Sequence, residues 1–306
     1  MTLTEHAVSV AGGKYEVDVD GRTLRLSNLD RVLYPKTGFT KGDLIDYYAA
    51  VAPAMLPHLR GRPLTMRRFP GGVESAGFWE KRCPAHRPEW VRSAAIWSDS
   101  NDEEIEYCVV DDAATLIWAA NLADIEVHTS LATAAERQTP GSLVFDLDPG
   151  EPAGLPECSE IALNIHGMLG ELGLESFVKT SGSKGLQIYV PLNSGASYDQ
   201  TRPFAHEVAR SFEAQMPDRV VSKMKRSLRK GKVFIDWSQN TEHKTTVCVY
   251  SMRATAVPSV STPVTWGEVE EGGLGFGPEE VLRRVESGGD LFRRLPELEQ
   301  HLPLIH

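Results

Sequence analysis

No CxxC pair occurs among the four cysteines, which stand far apart at Cys83, Cys108, Cys158 and Cys248. A zinc ribbon and a thiol-redox pair are therefore not expected, and the scatter reads as reduced, structural thiols of a reducing compartment. Cys83 and His86 are three apart, but no second Cys/His pair accompanies them to complete a zinc site. There is no apolar run of bilayer-spanning length, and Met1-Thr2-Leu3-Thr4-Glu5 lacks a basic region followed by an apolar one. Neither membrane insertion nor secretion is expected. The GxxxxGK spacing of a Walker A loop is absent, as are internal repeats and low-complexity linkers. Excess positive charge is missing too. The formal net charge of −10 argues against a protein that coats nucleic acid without specificity.

The composition is otherwise ordinary: 306 residues with 41% hydrophobic and 24% charged side chains, enough for one large domain or two modules sharing a site. The charge is unevenly spread. Arg219, Lys223, Lys225, Arg226, Arg229, Lys230 and Lys232 follow one another with no acid among them, while acids gather at Asp99 to Glu106 and Glu268 to Glu280. A polyanion-facing cleft would produce such segregation, and so would a solvated helix face.

Ser142-Leu143-Val144-Phe145-Asp146-Leu147-Asp148-Pro149-Gly150 reads as a strand entering a turn. Strand alternation puts Asp146 and Asp148 on one face and Leu147 on the other. Two such carboxylates repel unless a proton or a cation neutralises them. The pattern fits either a solvated strand end or a site for hard divalent cations. Val233-Phe234-Ile235-Asp236-Trp237 supplies a third acid inside an apolar run, where an isolated carboxylate is costly unless paired or metal-bound.

Around this strand the pattern predicts an N-terminal hairpin over 1–26, turning at Asp20-Gly21, and a Thr40-capped helix from Lys41 to about Leu56. An N-terminal α/β module over 27–135 follows, with strands at 64–69, 105–110 and 125–128 and a helix over 112–123. From 142 the order is strand, helix 156–172, strand 177–180, strand 186–192, helix 198–216, strands 233–237 and 245–250. This is close to a split βαβ, ferredoxin-like or RNA-recognition-like sheet. The fold class is α+β: an RNA-recognition-like catalytic sheet over 136–306 with an acidic C-terminal cap, packed with the N-terminal module. Neighbouring strands of that sheet would bring Asp236 beside Asp146 and Asp148, where three carboxylates can hold two Mg²⁺ or Mn²⁺ ions about 3.5–4 Å apart for phosphoryl chemistry.

Thr180-Ser181-Gly182-Ser183-Lys184-Gly185 offers small residues, hydroxyls and a lysine. It is either a plain turn or, beside the Asp pair, a triphosphate cradle. His128 reads as a nucleotide ligand or as a satisfied core histidine. Phe78-Trp79-Glu80-Lys81-Arg82 suits base stacking beside phosphate contacts, or an ordinary core.

The segments Phe145–Gly150, Thr180–Leu186 and Val233–Asn240, in this order, resemble the archaeo-eukaryotic primase superfamily, and within it the polymerase domain of bacterial ligase D. Arg31-Val32-Leu33-Tyr34-Pro35, Asp46-Tyr47-Tyr48, Gly61-Arg62-Pro63 and Phe78-Trp79-Glu80-Lys81 extend the resemblance over about residues 25–295. It implies a primase-polymerase fold and a nucleotidyltransferase that extends primers and fills short gaps at DNA ends with rNTPs or dNTPs, in end joining. Asp146, Asp148 and Asp236 would hold two Mn²⁺ (or Mg²⁺) ions. Ser181, Lys184, Arg229, Gln239, Arg253 and His128 would contact the nucleotide; Phe78 and Trp79 would stack at nucleotide and template, with Arg67 nearby. Arg31 and Lys41 would bind a 5′-phosphate. Gln187 stands where the family often has histidine, which implies weakened nucleotide or metal binding there. The resemblance further implies a monomeric, cytoplasmic, nucleoid-associated bacterial protein with DNA, Ku-type and ligase partners and no membrane. The N-terminal hairpin favours a stand-alone relative. Two rival readings are a two-metal nuclease, which would not need the Ser181–Lys184 loop, and a DNA-end-binding accessory protein.

Overall fold

Strand Ser142–Pro149 lies at the centre of a sheet whose strand order is Val220–Val221, Val233–Asp236, Ser142–Pro149, Leu186–Pro191, Phe177–Thr180, Pro263–Val264 in the computed structural model, which describes residues 2–98 and 101–303. Its inner four strands pair antiparallel in the order expected of a split βαβ sheet, with the first strand between the third and the last. Leu143, Val144, Phe145 and Leu147 are fully buried, which is what a central strand covered on both faces requires. Helices Leu155–Glu171 and Tyr198–Gln215 supply crossovers, one closed by Gly173 at φ +74 and the other buried through Phe204, Ala205, Val208 and Phe212.

The chain forms two compact units. One holds residues up to Thr129 with Val247–Val260 and Phe276–Gly289; the other holds Ser130–Thr246, Ser261–Gly275 and the chain from Asp290. The linear division expected at 26/27 and 135/136 is therefore replaced by an interleaved one. Helix Pro278–Gly288, expected to cap the catalytic sheet, belongs to the first unit, where Val281 is fully buried and Val260 N–H donates to Phe276 O at 3.1 Å. The expected strand over 245–250 is only Thr246–Val247, and Tyr250 turns away at φ +66.

In the first unit, Val8–Val10 adds a third strand to the expected hairpin of Lys14–Val19 and Arg22–Ser27, whose turn residues Asp20 and Gly21 both have positive φ. Helix Lys41–Leu59 starts with a capping box between Thr40 and Asp43 and runs three residues past the expected end, through Pro57. A sheet carries Asp124–Thr129 beside Leu64–Arg68 beside Phe78–Glu80. Asp99 of the acidic cluster lies outside the described residues; the hairpin Ser93–Ser98 and Glu103–Cys108 flanks it.

The expectation of reduced thiols fails at one pair: Cys83 and Cys108 form a disulfide. Cys83 N–H donates to Glu106 O at 2.6 Å, which lays the segment along the Glu103–Cys108 strand and leaves the two Cα atoms 4.8 Å apart, within bridging reach. Cys158 and Cys248 are buried and take part in no disulfide. Among the described residues no helix is long and apolar enough to cross a membrane.

Candidate active site

Strand register in the second unit lines up one stripe of polar residues across four strands. Lys179 opposes Gln187, Gln187 opposes Asp146, and Asp146 opposes Asp236. Cross-strand partners share a face, so this stripe and Asp148, two residues beyond Asp146, face the same way. The sequence expectation that Asp236 reaches the Asp146–Asp148 pair is realised by direct pairing. Leu147 is fully buried on the opposite face.

The consequence is electrostatic. Asp146 retains some solvent contact, yet desolvation, followed by the charges of Asp148 and Asp236, pushes its pKa up to about 7. The Gln187 side chain and the charge of Lys179 act in the other direction. Each acid also has polar neighbours. Gln239 Nε2 lies 3.1 Å from Asp236 Oδ2 and 3.4 Å from Asp146 Oδ2. Asp236 takes Ser238 N–H at 2.9 Å, and Lys244 Nζ lies 3.6 Å from its Oδ2. Arg229 Nη1 stands 3.7 Å from Asp148 Oδ2, its guanidinium 3.6 Å over the ring of Phe234, the register partner of Asp148.

A divalent hard cation suits this donor set: three carboxylates, no sulfur and no imidazole. The raised pKa of Asp146 marks negative charge that the protein alone does not neutralise. Among the described residues no three His, Cys, Asp or Glu side chains are gathered closely enough to hold a metal ion.

Two glycines bring basic loops onto this end of the strand. A Cβ on Gly185 would lie 1.9 Å from Leu147 O, and one on Gly150 would lie 1.9 Å from Arg229 O. The Ser181–Gly185 loop and the Arg229 loop can therefore pack directly on the backbone carrying the acids. In the first loop, Ser181 Oγ accepts from Ser183 N–H at 3.2 Å and from Gly185 N–H at 3.1 Å. These two amides, expected to cradle an anion, are thus turned onto the Ser181 hydroxyl. Lys184 is exposed and meets Glu151 at 3.0 Å. The basic run is partly internal: Arg219 is ion-paired with Glu160 and Lys232 donates to Pro217 O, while Lys223, Lys225, Arg226 and Lys230 are exposed.

A second stripe lies in the first unit, where Trp79 opposes Arg67 and Arg67 opposes Glu126. The core reading of Phe78 and Trp79 fails, since they are 44% and 53% exposed on an edge strand. Arg68 lies 5.2 Å over Phe78 and Arg67 5.2 Å over Trp79. His128, also in this unit, is buried with Nε2 3.0 Å from Glu126 Oε2 and its ring edge-on to Trp79 at 4.7 Å. Arg253 Nε is 3.4 Å from Glu126 Oε1. Arg31 is exposed and donates to Pro70 O at 2.6 Å. Lys41, expected to offer its ammonium to a phosphate, is buried and donates to Ser27 O at 2.6 Å. Desolvation, then the charges of Arg31 and Arg68, lowers its pKa to about 8.

Sequence reasoning missed Lys179 and Glu126. A lysine alternating with apolar residues in Phe177-Val178-Lys179-Thr180 could have signalled a buried charge facing the acids. Glu126, two residues before His128, could have signalled a shared face.

Residues 40–292 match the family described as LigD, primase-polymerase domain. The multifunctional non-homologous end joining DNA repair protein LigD of Mycobacterium tuberculosis is 42% identical over 279 residues, which cover 88% of this chain and 36% of that protein. The bifunctional non-homologous end joining protein LigD of Bacillus subtilis is 31% identical over 290 residues, 92% of this chain and 46% of its own length. The chain thus spans less than half the length of these relatives. Among solved structures, the polymerase domain from Mycobacterium tuberculosis ligase D in complex with DNA superposes with a TM-score of 0.84 at 40% identity, covering 89% of this chain and 98% of that one.

Proposed function

The chain belongs to the LigD primase-polymerase family, and on that premise we propose that it is a template-dependent nucleotidyltransferase that extends primers and fills short gaps at DNA ends during end joining. The observation that carries this reading is the register pairing of Asp146 with Asp236, with Asp148 on the same face, at a site where Asp146 titrates near 7.

Asp146, Asp148 and Asp236 would hold two Mn²⁺ or Mg²⁺ ions. Bound there, such ions supply Lewis-acid activation of a primer 3′-hydroxyl and neutralisation of the triphosphate. The protein's own groups do the rest. Lys184 and Arg229 bring positive charge to where negative charge develops on the phosphates. Ser181 offers its hydroxyl, and the Ser183 and Gly185 amides are available to an anion once they leave it. Gln239 donates to two of the acids and so steadies their orientation. In the first unit, exposed Phe78 and Trp79 offer faces for base stacking, with Arg67 and Arg68 behind them. His128 and Arg253 are assigned to the nucleotide, and Arg31 and Lys41 to a 5′-phosphate. Gln187 keeps a hydrogen bond to Asp146 that a histidine would also make, which supports reduced rather than lost activity. The expected setting is the bacterial cytoplasm at the nucleoid, with a Ku-type protein and a ligase as partners and a monomeric state.

The test is incubation with a primed template, Mn²⁺ and nucleoside triphosphates. Primer extension is expected. Shortening would establish a nuclease, and retention of DNA without change an accessory protein; either would overturn the polymerase reading.

A further inference from the structure

Glu126 is a buried carboxylate at the meeting point of several polar groups of the first unit. Its side chain is 2% exposed and is met by four groups, three through hydrogen bonds and Arg253 as an ion pair. Arg67 Nη1 reaches both oxygens, at 3.0 Å and 3.1 Å. Ala254 N–H donates to Oε1 at 3.0 Å, Arg253 Nε lies 3.4 Å from the same oxygen, and His128 Nε2 lies 3.0 Å from Oε2. Burial raises the pKa of this carboxyl, but the His128 hydrogen bond, the Arg253 charge, electrostatic attraction to His128 and the Ala254 amide outweigh it and hold Glu126 well below the usual carboxylate range. An ionised carboxylate only accepts hydrogen bonds. The ring nitrogen facing it must therefore carry a proton.

We propose that Glu126 is a positioning residue that fixes His128 in the tautomer bearing its proton on Nε2, so that Nδ1 is the ring's acceptor for a hydrogen-bond donor of the nucleotide. This rests on the assignment of His128 to the nucleotide in the function proposed above. His128 is also kept uncharged: desolvation, with Arg253 and Arg67, lowers its pKa against the pull of Glu126. A charged imidazole would have no acceptor, and the opposite tautomer would present a donor in its place. Arg67 and Arg253 compensate the carboxylate, and Trp79 packs edge-on against the ring. The ring is thereby held in place as well as in protonation state. The arrangement parallels the way a buried acid orients a catalytic or metal-bound imidazole through its far nitrogen.

The experiment has two arms. Nitrogen-15 NMR of the imidazole at pH 7.5 should show the proton of His128 on Nε2 in the wild-type protein. In Glu126→Gln the signal should move toward the Nδ1–H form, because the amide can donate to Nε2. Calorimetric titration with GTP and Mn²⁺ in the absence of primer should show affinity falling roughly tenfold in Glu126→Gln. It should fall as far in His128→Ala, and no further in the double variant, as expected of residues acting through one contact. A purely structural Glu126 would give additive losses, which would overturn the proposal, as would a wild-type proton on Nδ1 or a tautomer indifferent to Glu126→Gln. Wild-type protein that binds no GTP would instead sink the functional reading, while the NMR arm still decides how Glu126 holds His128. Melting temperatures of both variants guard against misfolding, and the wild-type tautomer needs no variant at all.

Discussion

The ammonium of Lys179 lies 2.6 Å from Gln187 Oε1, which commits the amide of Gln187 to turn its NH₂ toward Asp146, its partner in register. Lys179 is fully buried and also donates to Ser261 Oγ at 2.5 Å. Gln187 thus stands as a relay between a buried cation and a candidate metal ligand. Gln187→Leu should leave the ammonium short of an acceptor and cost roughly 2–3 kcal/mol, with Mn²⁺ half-saturation raised severalfold. Gln187→His, which can accept from Lys179 and donate to Asp146, should retain or raise primer extension. Thermal melts and Mn²⁺ titrations check both; a Leu variant as stable and as responsive to Mn²⁺ as wild type would dismiss the relay.

Asp146 should weaken the metal-free fold. Its folded pKa of about 7 lies above the ordinary carboxylate value, so the native state binds the extra proton between about pH 4 and 7. The stability this contributes is present at low pH and is lost as pH rises through 7. Asp146→Asn removes both the desolvated charge and the repulsion. It should be more stable than wild type at pH 8 by roughly 1–2 kcal/mol, a figure discounted for the partial solvent contact of Asp146. The gap should close near pH 5, and primer extension should vanish. Melts of both proteins at the two pH values without divalent ions decide it. A variant no more stable than wild type at pH 8 would show that the acids are compensated without metal.

Gly185→Ala and Gly150→Ala test whether close packing of the basic loops matters. Each new methyl would meet a backbone carbonyl at 1.9 Å, and backbone cannot step aside as a side chain can. Displacing the loops should cost about 1–3 kcal/mol each. Nucleotide affinity should fall further than stability suggests, since Lys184 or Arg229 moves with its loop. Chemical denaturation beside GTP titration separates the two effects; unchanged affinity in a destabilised variant would make the glycines purely architectural.

Local patterns made much of this legible. The alternation around Asp146, the helix start at Thr40 and the turn at Asp20-Gly21 depend on neighbours in sequence, and the structure carries all three. The order of the inner strands followed from the succession of elements, which matches a split βαβ sheet, and with it came the meeting of Asp236 and Asp146. What stayed hidden depends on which distant groups share a face. Glu126 and Lys179 look like ordinary charges until register sets them beside Arg67 and Gln187. The Cys83–Cys108 bridge arises from two segments laid side by side, which spacing alone did not disclose. The interleaving of the two units was illegible for the same reason, since no local signal marks where the chain returns.

Lys41 gives a pH test of the 5′-phosphate assignment. Its amine is buried on Ser27 O, and desolvation with the nearby charge of Arg31 lowers its pKa to about 8. A lysine lowered in the folded state carries its charge below pH 8 and loses it above, while the unfolded chain stays protonated to about 10.5. Folding stability should therefore rise between those values, as the native state no longer buries a charge. Phosphate recognition should move in the opposite direction, because only the ammonium attracts the dianion. The preference for a gap with a 5′-phosphate over one with a 5′-hydroxyl should decline severalfold from pH 7 to pH 9. Lys41→Arg, whose charge persists throughout that range, should flatten the profile. Binding assays with paired oligonucleotides at several pH values measure it directly. A wild-type preference that holds steady up to pH 9 would remove Lys41 from phosphate recognition and leave it as a brace for the Ser27 carbonyl, with exposed Arg31 the remaining candidate.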